Sequence, residues 1–210
     1  MRLAAVTERD LWLPGWPGGL TCAALVPADS TPAAQSDAGR RVALAALRRA
    51  GSDAHVLPPK LDTVPQWPSG FVGWIAHDAL LAVAVVAPRD LAHTVGIDVE
   101  RHDALDARDA TLVLTDDEHE FAADDNVVTT LLWSAKESAY KAWCTALGVA
   151  LDAVDPCDIH VTAAAPTGLR IDAGGALARR VASIGTLHGT WRRVDDLVVT
   201  LAWKLTSVSA

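Results

Sequence analysis

The chain has 210 residues, half of them apolar, and a net charge of −8. That length and composition support one large or two small globular domains and exclude a disordered chain. The acidic balance argues against duplex nucleic acid as a partner, because phosphate contacts need a basic surplus. Cys22, Cys144 and Cys157 are odd in number and form no CxxC pair, so free thiols in a reducing compartment are expected, with neither disulfide nor zinc site. Residues 1–10 carry no apolar signal core, and the longest apolar run, residues 79–87, is too short to span a bilayer. The expectation is a cytoplasmic monomer that meets no membrane.

In chain order, residues 20–26 are apolar and read as a first strand. Residues 27–37 are rich in Ala, Ser, Pro and Asp and read as a loop. Ser36 or Asp37 is placed to cap a helix over residues 38–50, which Gly51 ends. Pro58-Pro59 and residues 65–70 mark a stiff connection. Strands are expected over residues 71–75 and 80–87, with His77 and Asp78 in the turn between them, and over residues 95–100. Residues 105–113 read as a helix. Thr115-Asp116-Asp117-Glu118 has the spacing of a capping box and starts another. A long helix is expected over residues 127–147, stopped by Gly148. Strand-like runs follow at residues 159–162, 169–172, 187–192 and 197–205. Helices paired with antiparallel strands in both halves define an α+β fold, divided here into residues 1–100 and 101–210.

Two stretches carry candidate chemistry. In Gly96-Ile97-Asp98-Val99-Glu100, strand alternation puts Asp98 and Glu100 on one face, with Ile97 and Val99 on the other. Adjacent carboxylates stay ionised only with a cation between them or solvent around them. A hard divalent cation such as Mg²⁺ suits such oxygen ligands, and an exposed acidic strand face is the competing explanation. In the long helix, Glu137 and Lys141 are four apart and meet on one face. They form either a surface ion pair or, with Lys136, a base and cations for phosphoryl chemistry. His77 is either a hydrogen-bond donor to a phosphate or a structural turn residue. Arg40 and Arg41, placed in a first helical turn, have free backbone N–H groups beside them that favour an anion; a solvated helix start is the alternative.

The sequence Gly96-Ile97-Asp98-Val99-Glu100, followed 37 residues after Glu100 by the Glu137 of Trp133-Ser134-Ala135-Lys136-Glu137-Ser138-Ala139-Tyr140-Lys141-Ala142, resembles the 4′-phosphopantetheinyl transferase superfamily. The likeness is to the monomeric type that activates peptide and polyketide synthases. Weaker echoes are Gly39-Arg40, Trp67-Pro68-Ser69-Gly70, the run from Gly73 to His77, and Gly189-Thr190-Trp191. The resemblance implies two similar α+β halves related by a pseudo-twofold, with the active site in the cleft between them. It implies Mg²⁺ on Asp98, Glu100 and Glu137, and coenzyme A as co-substrate. Glu137 would be the base that deprotonates a serine of an acyl or peptidyl carrier protein. Lys141 would steady the pyrophosphate and leaving group, with Lys136 as the neighbouring family lysine. His77 and Arg40 would hold the 3′-phosphate of coenzyme A.

The chain also departs from the family pattern. Ala76 replaces a small hydroxyl residue before the histidine, and Trp74 follows Gly73 where Ser is common. No arginine lies in residues 29–37 or beside Thr63 and Val64, and Leu44 replaces a helical base. These losses predict altered coenzyme A recognition, with Arg41 and Lys60 as compensating bases. Two other classes share these residues: a non-catalytic partner of a carrier protein or synthase, and a Mg²⁺-dependent phosphohydrolase using the same carboxylates.

Overall fold

A run of seven consecutive apolar residues needs cover on both faces, and the strand at residues 81–87 obtains it. In the computed structural model, which describes residues 9–18, 21–26, 31–58, 60, 61, 63–164 and 166–207, every one of those seven is buried. The elements in chain order are β1 (Arg9–Asp10), β2 (Thr21–Leu25), α1 (Pro32–Arg49), β3 (Phe71–His77), β4 (Leu81–Pro88) and β5 (Ala92–Arg101). They continue as α2 (Ala107–Val113), α3 (Asp116–Ala122), α4 (Asn126–Leu147), β6 (Ile159–Ala163), β7 (Gly168–Ala173), α5 (Gly175–Arg180), β8 (Leu187–Val194) and β9 (Leu197–Leu205). One antiparallel sheet has the order β1-β2-β4-β3, and a second has the order β5-β9-β8-β7-β6.

The α+β class holds, and alternation explains the layering. Ala82, Ala84 and Val86 of β4 pack on Ala38, Val42, Ala43, Ala45, Ala46 and Leu47 of α1. The intervening Leu81, Val83, Val85 and Ala87 join Val95, Ile97 and Val99 of β5 in the core between the sheets. The opposite face of β5 carries Gly96, Asp98 and Glu100, and α4 lies along it. Any side chain at Gly96 would collide with the Ser138 carbonyl oxygen and the Ala142 nitrogen. The glycine of this motif therefore sets how closely α4 approaches the strand. Thr94 Oγ1 donates to the Ala142 carbonyl at 2.5 Å and fixes the same contact.

Several sequence boundaries move. The first helix starts at Pro32, six residues before the expected Ala38, with Thr31 as its cap: Thr31 Oγ1 accepts from the Ala34 N–H at 3.3 Å. Pro at the first helical position and the following Ala33-Ala34 favour that start. Arg40 and Arg41 consequently sit mid-helix, where no free N–H groups assist them. Strand β5 hydrogen-bonds to β9, so it belongs to the second sheet although a division at residue 100 assigns it to the first half. His77 ends β3, and only Asp78 follows it into the turn. The capping box is present, with Thr115 and Glu118 bonding each other's backbone N–H. The expected loop at residues 27–30, Leu20, Pro59 and residues 1–8 lie outside the described residues. Among the described residues no helix is long and apolar enough to cross a membrane.

Candidate active site

The end of β3, the end of β5 and the middle of α4 converge. Ala76, His77, Asp78, Asp98, Glu100, Glu137 and Lys141 line one cleft of about 300 Å³. Strand alternation brings Asp98 and Glu100 to the α4 side, and the i,i+4 spacing brings Glu137 and Lys141 to the β5 side. The juxtaposition that the two motifs require is therefore present. Lys141 Nζ lies 2.5 Å from Asp98 Oδ1 and 3.6 Å from Glu137 Oε2. Ser134 Oγ donates to the other Asp98 oxygen at 2.7 Å.

Four carboxylates share this cleft with one close ammonium group. Burial, reinforced by Asp98 and further by Glu137 and Asp78, pushes Glu100 up to about 7, against a smaller opposing pull from Lys141. Burial also raises Glu137, with Lys141 opposing. Burial alone would lower Lys141, but Asp98, then Glu137 and Glu100, hold it above the ordinary lysine value. The site thus has an excess of negative charge. Its donors are all carboxylate oxygens, the chemistry of a hard divalent cation. Among the described residues no three or more His, Cys, Asp and Glu side chains are grouped as a preformed metal site. Lys141 is the counter-charge on Asp98.

The Glu100 shift predicts a pH-dependent stability. A carboxyl raised from 4.5 to about 7 keeps its proton in the metal-free folded chain while the unfolded chain releases it. Its contribution is full below about pH 4.5 and is lost as pH rises through 7. Glu100→Gln, free of that charge, should be more stable than the parent at pH 8 by about 1–2 kcal/mol after allowance for solvent screening. Urea unfolding in the presence of a chelator should show the gain shrinking to nothing near pH 4.5.

A second pocket adjoins the first, and Ile75 and His77 line both. Its other walls include Ser36, Arg40, Leu57, Pro58, Lys60, Pro65 and Gln66. Three of the expected anion-binding groups, Arg40, Lys60 and His77, are therefore together. Burial lowers the His77 pKa, followed by the charges of Lys60 and Lys141, so the imidazole is neutral at neutral pH and donates one N–H. Arg41 is different: one residue further round α1, it does not line this pocket.

Lys136 requires a correction. Its side chain is 1% exposed and pairs with Glu118 Oε2 at 2.6 Å. It also donates to the Val113 carbonyl at 2.8 Å and the Pro156 carbonyl at 3.0 Å. The three ammonium protons are thereby used. Consecutive helical residues point about 100° apart, so Lys136 and Glu137 serve different surroundings. Sequence reading missed Glu118 as this partner, although the capping box had marked it. It also missed Ser134 and Thr200 behind Asp98, and an apolar groove on the far side of Glu137. Trp133, Tyr140, Leu151, Val154 and Pro156 line that groove.

Known proteins share this arrangement of sequence. A family model described as the 4′-phosphopantetheinyl transferase superfamily matches residues 94–202. A second, for the 4′-phosphopantetheinyl transferase N-terminal domain, matches residues 33–87. The two meet at the seam between β4 and β5. The chain is 33% identical over 173 residues to 4′-phosphopantetheinyl transferase Svp of Streptomyces mobaraensis, covering 77% of this chain and 68% of that protein. It is 31% identical over 180 residues to enterobactin synthase component D of Salmonella typhimurium, covering 81% and 71%. The solved acyl carrier protein synthase of Mycobacterium tuberculosis aligns with a TM-score of 0.45 and 24% identity, over 56% of this chain and 99% of that one. The chain belongs to the 4′-phosphopantetheinyl transferase superfamily. It is accordingly a transferase that carries phosphopantetheine to carrier proteins.

Proposed function

We propose that the β5–α4 cleft transfers 4′-phosphopantetheine from coenzyme A to a serine hydroxyl of an apo carrier protein of the peptide or polyketide synthase type, releasing 3′,5′-ADP. The observation that carries this reading is the contiguity of two unlike pockets. A cationic one (Arg40 and Lys60, with the neutral His77) shares a wall with an acidic one (Asp98, Glu100 and Glu137, with Lys141). A ligand that carries both a phosphate monoester and a pyrophosphate, as coenzyme A does, suits that pairing. The three bases of the first pocket offset the departures at Ala76 and Leu44.

Asp98, Glu100 and Glu137 would hold Mg²⁺, which supplies charge neutralisation at the pyrophosphate. Glu137 takes the proton of the carrier serine, and its upward shift brings it nearer the operating pH of a general base. The serine oxygen bonds to the β-phosphorus as the bond from that phosphorus to the bridging oxygen breaks. The negative charge departs with 3′,5′-ADP, and Lys141, firmly protonated, stabilises it. The groove of Trp133, Tyr140 and Leu151 gives the pantetheine chain an apolar wall beside the base. Nothing in the site favours a non-catalytic role, for which this full set of groups has no use.

Intact-mass measurement tests the reading. Apo carrier incubated with the chain, coenzyme A and Mg²⁺ should gain one phosphopantetheine group, and EDTA should prevent the gain. No gain across several carriers would refute it.

A further inference from the structure

The two oxygens of Asp98 have different partners. One meets Lys141 in the cleft. The other accepts from Ser134 Oγ, behind which stands a row of buried hydroxyls. Ser134 Oγ lies 2.8 Å from Thr200 Oγ1, which lies 2.6 Å from Ser138 Oγ. Ser134, Ser138 and Thr200 are all fully buried. Ser134 and Ser138 are one turn apart on α4, and Thr200 sits directly opposite Asp98 across the β5–β9 ladder. The transfer chemistry uses none of the three. Buried hydroxyls are costly unless bonded, and Ala or Val would fill these places without that cost.

The proton count gives the row a direction. Each hydroxyl has one proton to donate. A carboxylate only accepts, so the Ser134 proton goes to Asp98. Thr200 then shares its single proton between Ser134 Oγ and the Ser134 carbonyl, and Ser138 shares its own between Thr200 Oγ1 and the Thr200 carbonyl. Each donor polarises the next. The Ser134 carbonyl, 2.8 Å from Thr200 Oγ1, and the Thr200 carbonyl, 3.0 Å from Ser138 Oγ, anchor the row to both elements.

We propose that Ser138, Thr200 and Ser134 form a positioning relay that fixes the Asp98 carboxylate and so sets the divalent-cation affinity of the cleft. The proposal rests on the reading of Asp98 as a ligand of that cation. Residues that orient a ligand from behind typically change metal affinity 10–100-fold when altered.

The test titrates Mn²⁺ alone, by calorimetry, into the full metal-free chain. Thr200→Val and Ser134→Ala should weaken Mn²⁺ binding about 10–100-fold, and the Mg²⁺ concentration for half-maximal transfer should rise in step. Thr200→Ser keeps the hydroxyl and should restore the parent affinity. Asp98→Asn separates the two readings. If Asp98→Asn loses Mn²⁺ while Thr200→Val and Ser134→Ala bind it like the parent, the relay is refuted and the metal site stands. If Asp98→Asn itself binds like the parent, the metal reading beneath it has failed. Thr200→Ser as weak as Thr200→Val also overturns the relay, since packing and not the hydroxyl would then matter. Should Ser134→Ala fail to fold, the Thr200 pair alone decides.

Discussion

Glu137→Gln should lower the transfer rate by about 10²–10⁴-fold while the chain folds and melts much as the parent does. The amide is nearly isosteric with the carboxylate, so the groove wall it shares with Trp133 and Tyr140 is retained. On the proposed mechanism, what disappears is the proton acceptor for the serine hydroxyl and one oxygen donor to the divalent cation. Glu137 is 31% exposed on its side chain, so no buried charge is orphaned. Lys141 keeps its closer partner, Asp98, at 2.5 Å. The loss should fall mainly on kcat, because the cationic pocket of Arg40, Lys60 and His77 is untouched. A variant whose only defect was a raised KM for coenzyme A would place Glu137 in binding and not in proton transfer. Carrier mass gain measured against time at saturating coenzyme A and Mg²⁺ distinguishes the two.

Lys136→Met should do the reverse, costing stability instead of chemistry. Removing one member of a buried ion pair leaves the other charge uncompensated, typically a loss of about 3–5 kcal/mol. Here Glu118 would keep only the N–H groups of Thr115 and Val161; the Val113 carbonyl would lose its lysine donor, and the Pro156 carbonyl would keep only the Ile159 N–H. For a chain of this size the melting temperature should fall by about 6–20 °C. Lys136→Met with Glu118→Leu should recover part of the loss, because an apolar pair tolerates burial where a lone carboxylate does not. The recovery is partial because Glu118 also caps α3. Melting curves followed by circular dichroism read the effect. An unchanged melting temperature with weakened coenzyme A binding would return Lys136 to the nucleotide site.

These two neighbours show what the sequence could and could not tell. The helix at residues 126–147 was legible because no Gly or Pro interrupts it before Gly148, which adopts the left-handed conformation that ends it. Asp98 and Glu100 were legible as a pair because strand alternation depends on nothing distant. That Glu137 shares their cleft followed from the resemblance, and the packing of α4 on β5 through Gly96 supplies the physical reason. The different orientation of Lys136 was implicit in the 100° step between helical neighbours, yet its destination depends on Glu118, Val113 and Pro156, which only the fold brings together. The helix start at Pro32 was obscured by a composition of Ser, Pro, Ala and Asp that also describes loops. Membership of β5 in the second sheet rests on pairing with β9, about a hundred residues later in the chain, and no local pattern carries that information. The hydroxyl row behind Asp98 is hidden for the same reason: Thr200 reads as an ordinary strand residue until β9 is laid beside β5.

The central claim is that one continuous site takes both the 3′-phosphate and the pyrophosphate of coenzyme A. A crystal structure of the chain with coenzyme A and Mg²⁺ bound tests it directly. The pyrophosphate and metal should lie among Asp98, Glu100, Glu137 and Lys141, with the 3′-phosphate among Arg40, Lys60 and His77. A nucleotide bound elsewhere, with this acidic cleft empty of metal and pyrophosphate, would contradict the account.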